Sequence, residues 1–145
     1  MTDVERYLYR YNHLEHKKRI LESELKEARE EYQAQQESLL SPAKTSEVKT
    51  SKTNKKSDPV PDAVIKIVDV YRKRMDRIAD DLSAVNGEQQ SILDTVNKAG
   101  LTVCEESYIR YRYFKGMSAW RVAQIVGFSE GHTRKIRKSA LEKIK

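Results

Sequence analysis

Between residues 3 and 40 one series of positions recurs in alternating steps of three and four: Val4, Tyr7, Tyr11, Leu14, Lys18, Leu21, Leu25, Ala28, Tyr32, Gln35 and Leu39. Only Lys18 and Gln35 in that series are polar. A period of 3.5 is the seam of a coiled coil, which keeps one edge of a helix turned toward a partner. The positions between are mostly Glu, Lys, Arg and Gln, all good helix formers. The pattern resumes over residues 62–99, at Val64, Val68, Tyr71, Met75, Ile78, Leu82, Val85, Gln89, Ile92, Val96 and Ala99. Gly87 is its weak point, costing about 1 kcal/mol against alanine in a helix interior.

Two seams of equal length predict a hairpin. Residues 41–61 between them hold Pro42, Pro59 and Pro61 among Ser, Thr and five lysines, and read as a flexible linker. A parallel pair would need that linker to run back along a helix of roughly 55 Å. A flexible chain of its length typically spans about 25 Å. The antiparallel arrangement is therefore expected. It sets Leu39 near Val64, Tyr32 near Tyr71, Leu25 near Ile78, Tyr11 near Ile92 and Tyr7 near Val96. Asp62 is the expected cap of the second helix. The core of such a hairpin is thin, so a homodimer through the remaining faces is expected.

The last quarter reads differently. Thr102-Val103-Cys104-Glu105 is a capping box and predicts a helix from Val103 that carries Ile109 inward and ends near Lys115-Gly116. Ser118 is the expected N-cap of a second helix, bearing Val122, Ala123 and Val126 inward. Gly127-Phe128-Ser129 forms a tight corner, where Gly127 supplies a positive φ and Ser129 opens the last helix. That helix carries an apolar stripe of Ile136, Ala140, Leu141 and Ile144. Three short helices with this punctuation form a helix-turn-helix pattern, whose last helix enters the DNA major groove.

Charge supports the same division. The chain carries a net +6, and residues 102–145 alone hold ten basic and four acidic side chains. The two seam segments are slightly acidic. A basic terminal region on acidic helices is the usual mark of phosphate neutralisation.

The outward positions of the last helix nominate the site. Glu130, Gly131, His132, Arg134 and Lys135 stand where base edges are reached, and Arg134 and Lys135 have the donors to read guanine. Lys115, Ser118, Arg121, Ser129, Arg137 and Lys138 are the candidates for backbone phosphate. Trp120 reads as a partly exposed packing residue, with a contact to polymerase as the alternative.

Other chemistries find little. The sequence has no phosphate loop, nucleophile elbow or framed carboxylate pair, so no catalytic residue is nominated. His13 and His16 share a helix face but lack a third ligand, so no metal and no cofactor is expected. Cys104 is the only cysteine and reads as a buried or half-buried packing residue. No run is apolar enough to cross a membrane, and the N-terminus is charged and aromatic, so a cytoplasmic location is expected.

Tyr111-Arg112-Tyr113, Gly116-Met117-Ser118, Val122-Ala123 and Val126-Gly127, followed by Ile136, Ala140-Leu141 and Ile144, resemble region 4 of bacterial sigma factors of the sigma-70 class. The resemblance covers about the last 44 residues. The promoter-melting region of a sigma factor has no counterpart. The layout as a whole resembles phage-encoded late-gene transcriptional activators of Gram-positive bacteria. That resemblance implies double-stranded promoter DNA as the partner and bacterial RNA polymerase as a second one. It also places the base contacts at Glu130, Gly131, His132, Arg134 and Lys135. Glu130 and Gly131 depart from the longer polar side chains usual there, so a standard promoter element is not implied.

The expected fold is thus all-α: a coiled-coil helix over 1–40, a linker over 41–61, a coiled-coil helix over 62–99 and a helix-turn-helix domain over 100–145. The expected function is sequence-specific transcriptional regulation. A phage small terminase subunit also combines a helix-turn-helix with oligomerising helices, although its DNA-binding part usually comes first. A coiled-coil adaptor without DNA is the third reading.

Overall fold

The computed structural model describes residues 1–39 and 60–144, with the side chains of 1–38 and 64–144. Those residues are all-helical: α1 is Asp3–Leu39, α2 Val60–Lys98, α3 Val103–Ile109, α4 Ala119–Val126 and α5 Glu130–Ile144. A π-helical turn, Arg110–Phe114, prolongs α3. No helix among the described residues is long and apolar enough to cross a membrane. The expected linker lies outside the described residues, except Val60 and Pro61. Those two belong to α2, which begins two residues before the expected start. Asp62 is therefore inside the first turn and is not the cap. Pro61 suits that turn, because its missing N–H would have no helical partner there.

α1 and α2 pack together as an antiparallel pair. Within residues 20–82, one of two units into which the chain divides, Leu21, Ala28 and Ile78 are buried. The Tyr32 and Tyr71 rings lie 5.8 Å apart, and Glu31 accepts from Arg74 at 2.9 Å. These contacts match the expected register. The other unit is Met1–Arg19 with Ser83–Lys145 and contains seam positions of its own. There Tyr7 Oη meets Thr95 Oγ1 at 3.1 Å, and Arg10 Nε donates to Glu88 at 2.7 Å. Gln89, the polar seam position, is buried but satisfied: its amide donates to Glu15 at 2.9 Å. A buried amide without such an acceptor would cost more than the seam gains from packing it.

The second unit does not break at Gly100, where the boundary of an independent terminal domain was expected. The start of α1 is part of its core. Leu8 is fully buried beside the seam positions, and it joins Tyr108, Ile109, Tyr113, Phe114, Val122 and Ala140 in that unit's interior. The physical reason lies in the π turn. Residues five apart are rotated by roughly 140° in an α-helix, so Tyr108-Ile109 and Tyr113-Phe114 would face different ways. The widened turn, in which Lys115 N–H donates to Arg110 C=O at 2.9 Å, lets both pairs be buried. The second pair then needs a wall, and α1 supplies it. Tyr9 meets Tyr113 edge-on at 4.9 Å, and Tyr11 stacks on Phe114 at 4.2 Å.

The end of the π turn is capped from α1. Asn12 Nδ2 donates to the Phe114 carbonyl at 2.8 Å, one of the acceptors a helix end leaves unpaired. Gly116 follows at φ 73°, and a Cβ there would lie 3.3 Å from the Asn12 amide. Glycine is required both by the backbone angle and by this approach.

Candidate nucleic-acid interface

Each helix of the terminal region starts and stops where its sequence dictates. Thr102 Oγ1 accepts from Glu105 N–H at 3.3 Å, capping α3, and donates to the Glu105 carboxylate at 3.2 Å. Ser118 is extended (φ −68°, ψ 153°) and caps α4 by accepting from Arg121 N–H. Gly127 ends α4 at φ 78°, with its N–H on the Ala123 carbonyl at 3.0 Å. Ser129 Oγ then accepts from His132 N–H at 3.2 Å and opens α5. The corner between α4 and α5 is thereby set by one left-handed glycine and the Ser129 hydroxyl.

α5 is seated by Thr133, Ala140 and Ile144, which are buried, while Ile136 and Leu141 are half-buried. Glu105, itself buried, accepts from Lys143 Nζ at 2.8 Å and ties the end of α5 to the start of α3. The opposite face of α5 carries Glu130, Gly131, His132, Arg134, Lys135 and Lys138, all exposed. Arg121 of α4 is exposed as well. Among the described residues, Arg121, Arg134, Lys135 and Lys138 form no ion pair. The His132 ring packs edge-on against Phe128 at 4.7 Å, which fixes its direction. Lys115 is exposed and its ammonium lies 5.0 Å from the centre of the Tyr111 ring.

All five nominated base-contact positions therefore share one exposed face at the start of α5. The phosphate candidates do not all stand alike. Lys138 and Arg121 are free, and the hydroxyls of Ser118 and Ser129 are used as caps. Arg137 is not available in the way expected. Its guanidinium is bonded to Glu5 of α1, with Nε 3.1 Å from Oε1, and it lies 3.4 Å from Tyr113 Oη. Tyr113 Oη also donates to Glu5 at 2.9 Å. Burial alone would raise the Glu5 carboxyl, but the Thr2 backbone N–H, Arg137 and Tyr113 overcome it and hold it down at about 2. Burial pushes the Tyr113 phenol above its ordinary range. The cation assigned to phosphate thus closes a buried network between α1, the π turn and α5.

Two further assignments are corrected. Trp120 is not a packing residue: it is 59% exposed at the start of α4, because Val122 and Ala123 take the inward positions. Cys104 is exposed, since Glu105 occupies the inward place in that turn. His13 and His16 are both exposed. Among the described residues, no group of three or more His, Cys, Asp or Glu is placed to hold a metal ion.

Sequence reasoning missed Glu5, Asn12 and Tyr113 as parts of this region. A signal was present. Val4, Tyr7, Leu8, Tyr9 and Tyr11 are five apolar or aromatic residues within eight positions, a stripe wider than a two-helix seam uses. Such a stripe demands a third neighbour. No protein-family model matches this chain, and no curated protein or solved structure matches it.

Proposed function

We propose that this chain is a sequence-specific, non-enzymatic regulator that binds duplex promoter DNA through α5. The observation carrying the reading is the exposed face of that helix. Four cations without ion-pair partners stand on and beside it, held by a capped α4–α5 corner. Arginines and lysines on a solvent face with no ion pair to break are matched by phosphate or guanine, which supply charged or bidentate acceptors. In this reading Arg134 and Lys135 read bases, His132 contributes a directed ring, and Arg121, Lys115 and Lys138 meet the backbone. Resemblance to sigma region 4 supports promoter DNA over other duplexes and makes bacterial RNA polymerase the second partner, inside the bacterial cell. The α1–α2 hairpin would hold two copies together, so that two half-sites act through effective concentration.

The test is selection of bound fragments from genomic DNA by the full chain, followed by Arg134→Ala on the enriched site. Promoter fragments are expected. The variant should lose about 1–3 kcal/mol on that site and little on random duplex. Enrichment of a single packaging-site region would instead make the chain a small terminase subunit. Enrichment of nothing would leave a coiled-coil adaptor.

A further inference from the structure

Beside the base-reading face lies a cleft of about 450 Å³ between the starts of α4 and α5. Ala119 and Trp120 of α4 and Glu130 and Arg134 of α5 line it, together with Arg112 and Arg137. The indole is exposed although the chain has no other tryptophan and the α4 core is complete without it. Arg112 is fixed rather than mobile. Its guanidinium donates to the Met117 carbonyl at 2.9 Å and lies 5.4 Å from the centre of the Tyr9 ring. Glu5 is bonded to Arg137, and the other carboxylate among the lining residues is Glu130, against the guanidinium groups of Arg112 and Arg134.

We propose, building on the DNA reading above, that this cleft seats the sugar-phosphate backbone of one DNA strand, with a deoxyribose against the Trp120 indole and a phosphate toward Arg112. Glu130 and Arg134 are one turn apart on the part of α5 that faces the bases. When α5 lies in the major groove, the start of α4, with Ala119 and Trp120, meets the strand that borders that groove, which the first helix of such a pair crosses. A sugar offers a flat apolar edge, and the phosphates on either side need fixed donors. The Trp120 indole and the anchored Arg112 guanidinium, lining the same cleft, supply both. A backbone seat carries no sequence information, so it should strengthen binding to every duplex alike. An acidic segment of a partner protein is the competing occupant.

Trp120 is its own reporter. The full chain is titrated with the selected duplex and with a random duplex. Anisotropy of a labelled DNA end follows binding, and Trp120 emission follows the cleft. Emission should change in step with binding on both duplexes. Trp120→Ala should weaken both about five- to tenfold, with an unchanged melting temperature, and Trp120→Phe should restore most of the loss. Binding by anisotropy with unaltered emission, and a Trp120→Ala variant that binds normally, would overturn the seat while leaving the DNA reading in place. The same pattern with emission changed by a polyglutamate peptide would give the cleft to an acidic partner. No binding to any duplex would overturn both.

Discussion

Glu5 and Arg137 lie 132 positions apart in the chain, yet the guanidinium Nε of one rests 3.1 Å from the carboxylate of the other. The carboxylate is almost fully buried and the arginine is 42% exposed. Tyr113, buried between them, donates to the same oxygen. A buried carboxylate left without its cation is costly, so each partner makes the other necessary. The first turn of α1 is thereby bound to the middle of α5, and the direction of α5 depends on residues at the opposite end of the sequence.

The first prediction concerns acid. Glu5 is held at about 2, against an ordinary 4.5 in the unfolded chain. Because the folded value is the lower one, its contribution is complete above about pH 4.5 and is lost as pH falls toward 2. The difference corresponds to roughly 3 kcal/mol. Glu5→Gln should remove that stability at pH 7 and flatten the acid limb of the stability curve. Urea unfolding from pH 2 to pH 7 measures both. An unchanged acid limb in the variant would show that Glu5 is not responsible.

Arg137 and Lys138 are neighbours with opposite duties. Arg137→Ala should lower the melting temperature, since it strands the Glu5 carboxylate, at a cost of about 3 kcal/mol. Lys138→Ala should leave melting unchanged but weaken specific and random DNA equally, reducing the salt slope by about 1. Calorimetry alongside a salt series of binding curves separates them. A stable Arg137→Ala variant with a reduced salt slope would return Arg137 to the phosphate set.

The corner at Gly127 tests backbone strain without crowding. No heavy atom would lie within 4 Å of an added Cβ there, but φ is 78°. Gly127→Ala should therefore cost about 1–2 kcal/mol through the left-handed conformation alone. Thermal unfolding gives the value, and a neutral substitution would mean that the corner relaxes freely.

Ile78 tests the hairpin. It is buried in the seam of residues 20–82. Ile78→Asp places an unpaired charge there and should cost about 3 kcal/mol or more. Amide exchange should accelerate through that segment, while Tyr108, Tyr113 and Val122 remain protected, because their core uses other side chains. Uniform loss of protection across the chain would show a single cooperative unit instead.

Much of this architecture was legible in the sequence because local rules write it there. Heptad spacing specified α1 and α2, and their register was recoverable because a seam positions every residue relative to its partner. Thr102, Ser118, Gly127 and Ser129 marked the helix ends, since capping acts within four residues of a terminus. The exposed face of α5 followed from its apolar stripe by subtraction. Glu5, Asn12 and Arg137 were a different matter. Nothing local distinguishes a carboxylate on a solvated helix from one that a tyrosine and an arginine will enclose more than a hundred residues later. The π turn was equally hidden, because it arises from burying Tyr108-Ile109 and Tyr113-Phe114 against one wall. Sequence alone determined which segments are helical and which edge each turns inward. Only the tertiary structure decided that the start of α1 belongs with the terminal helices, because that choice rests on contacts between residues distant in the chain.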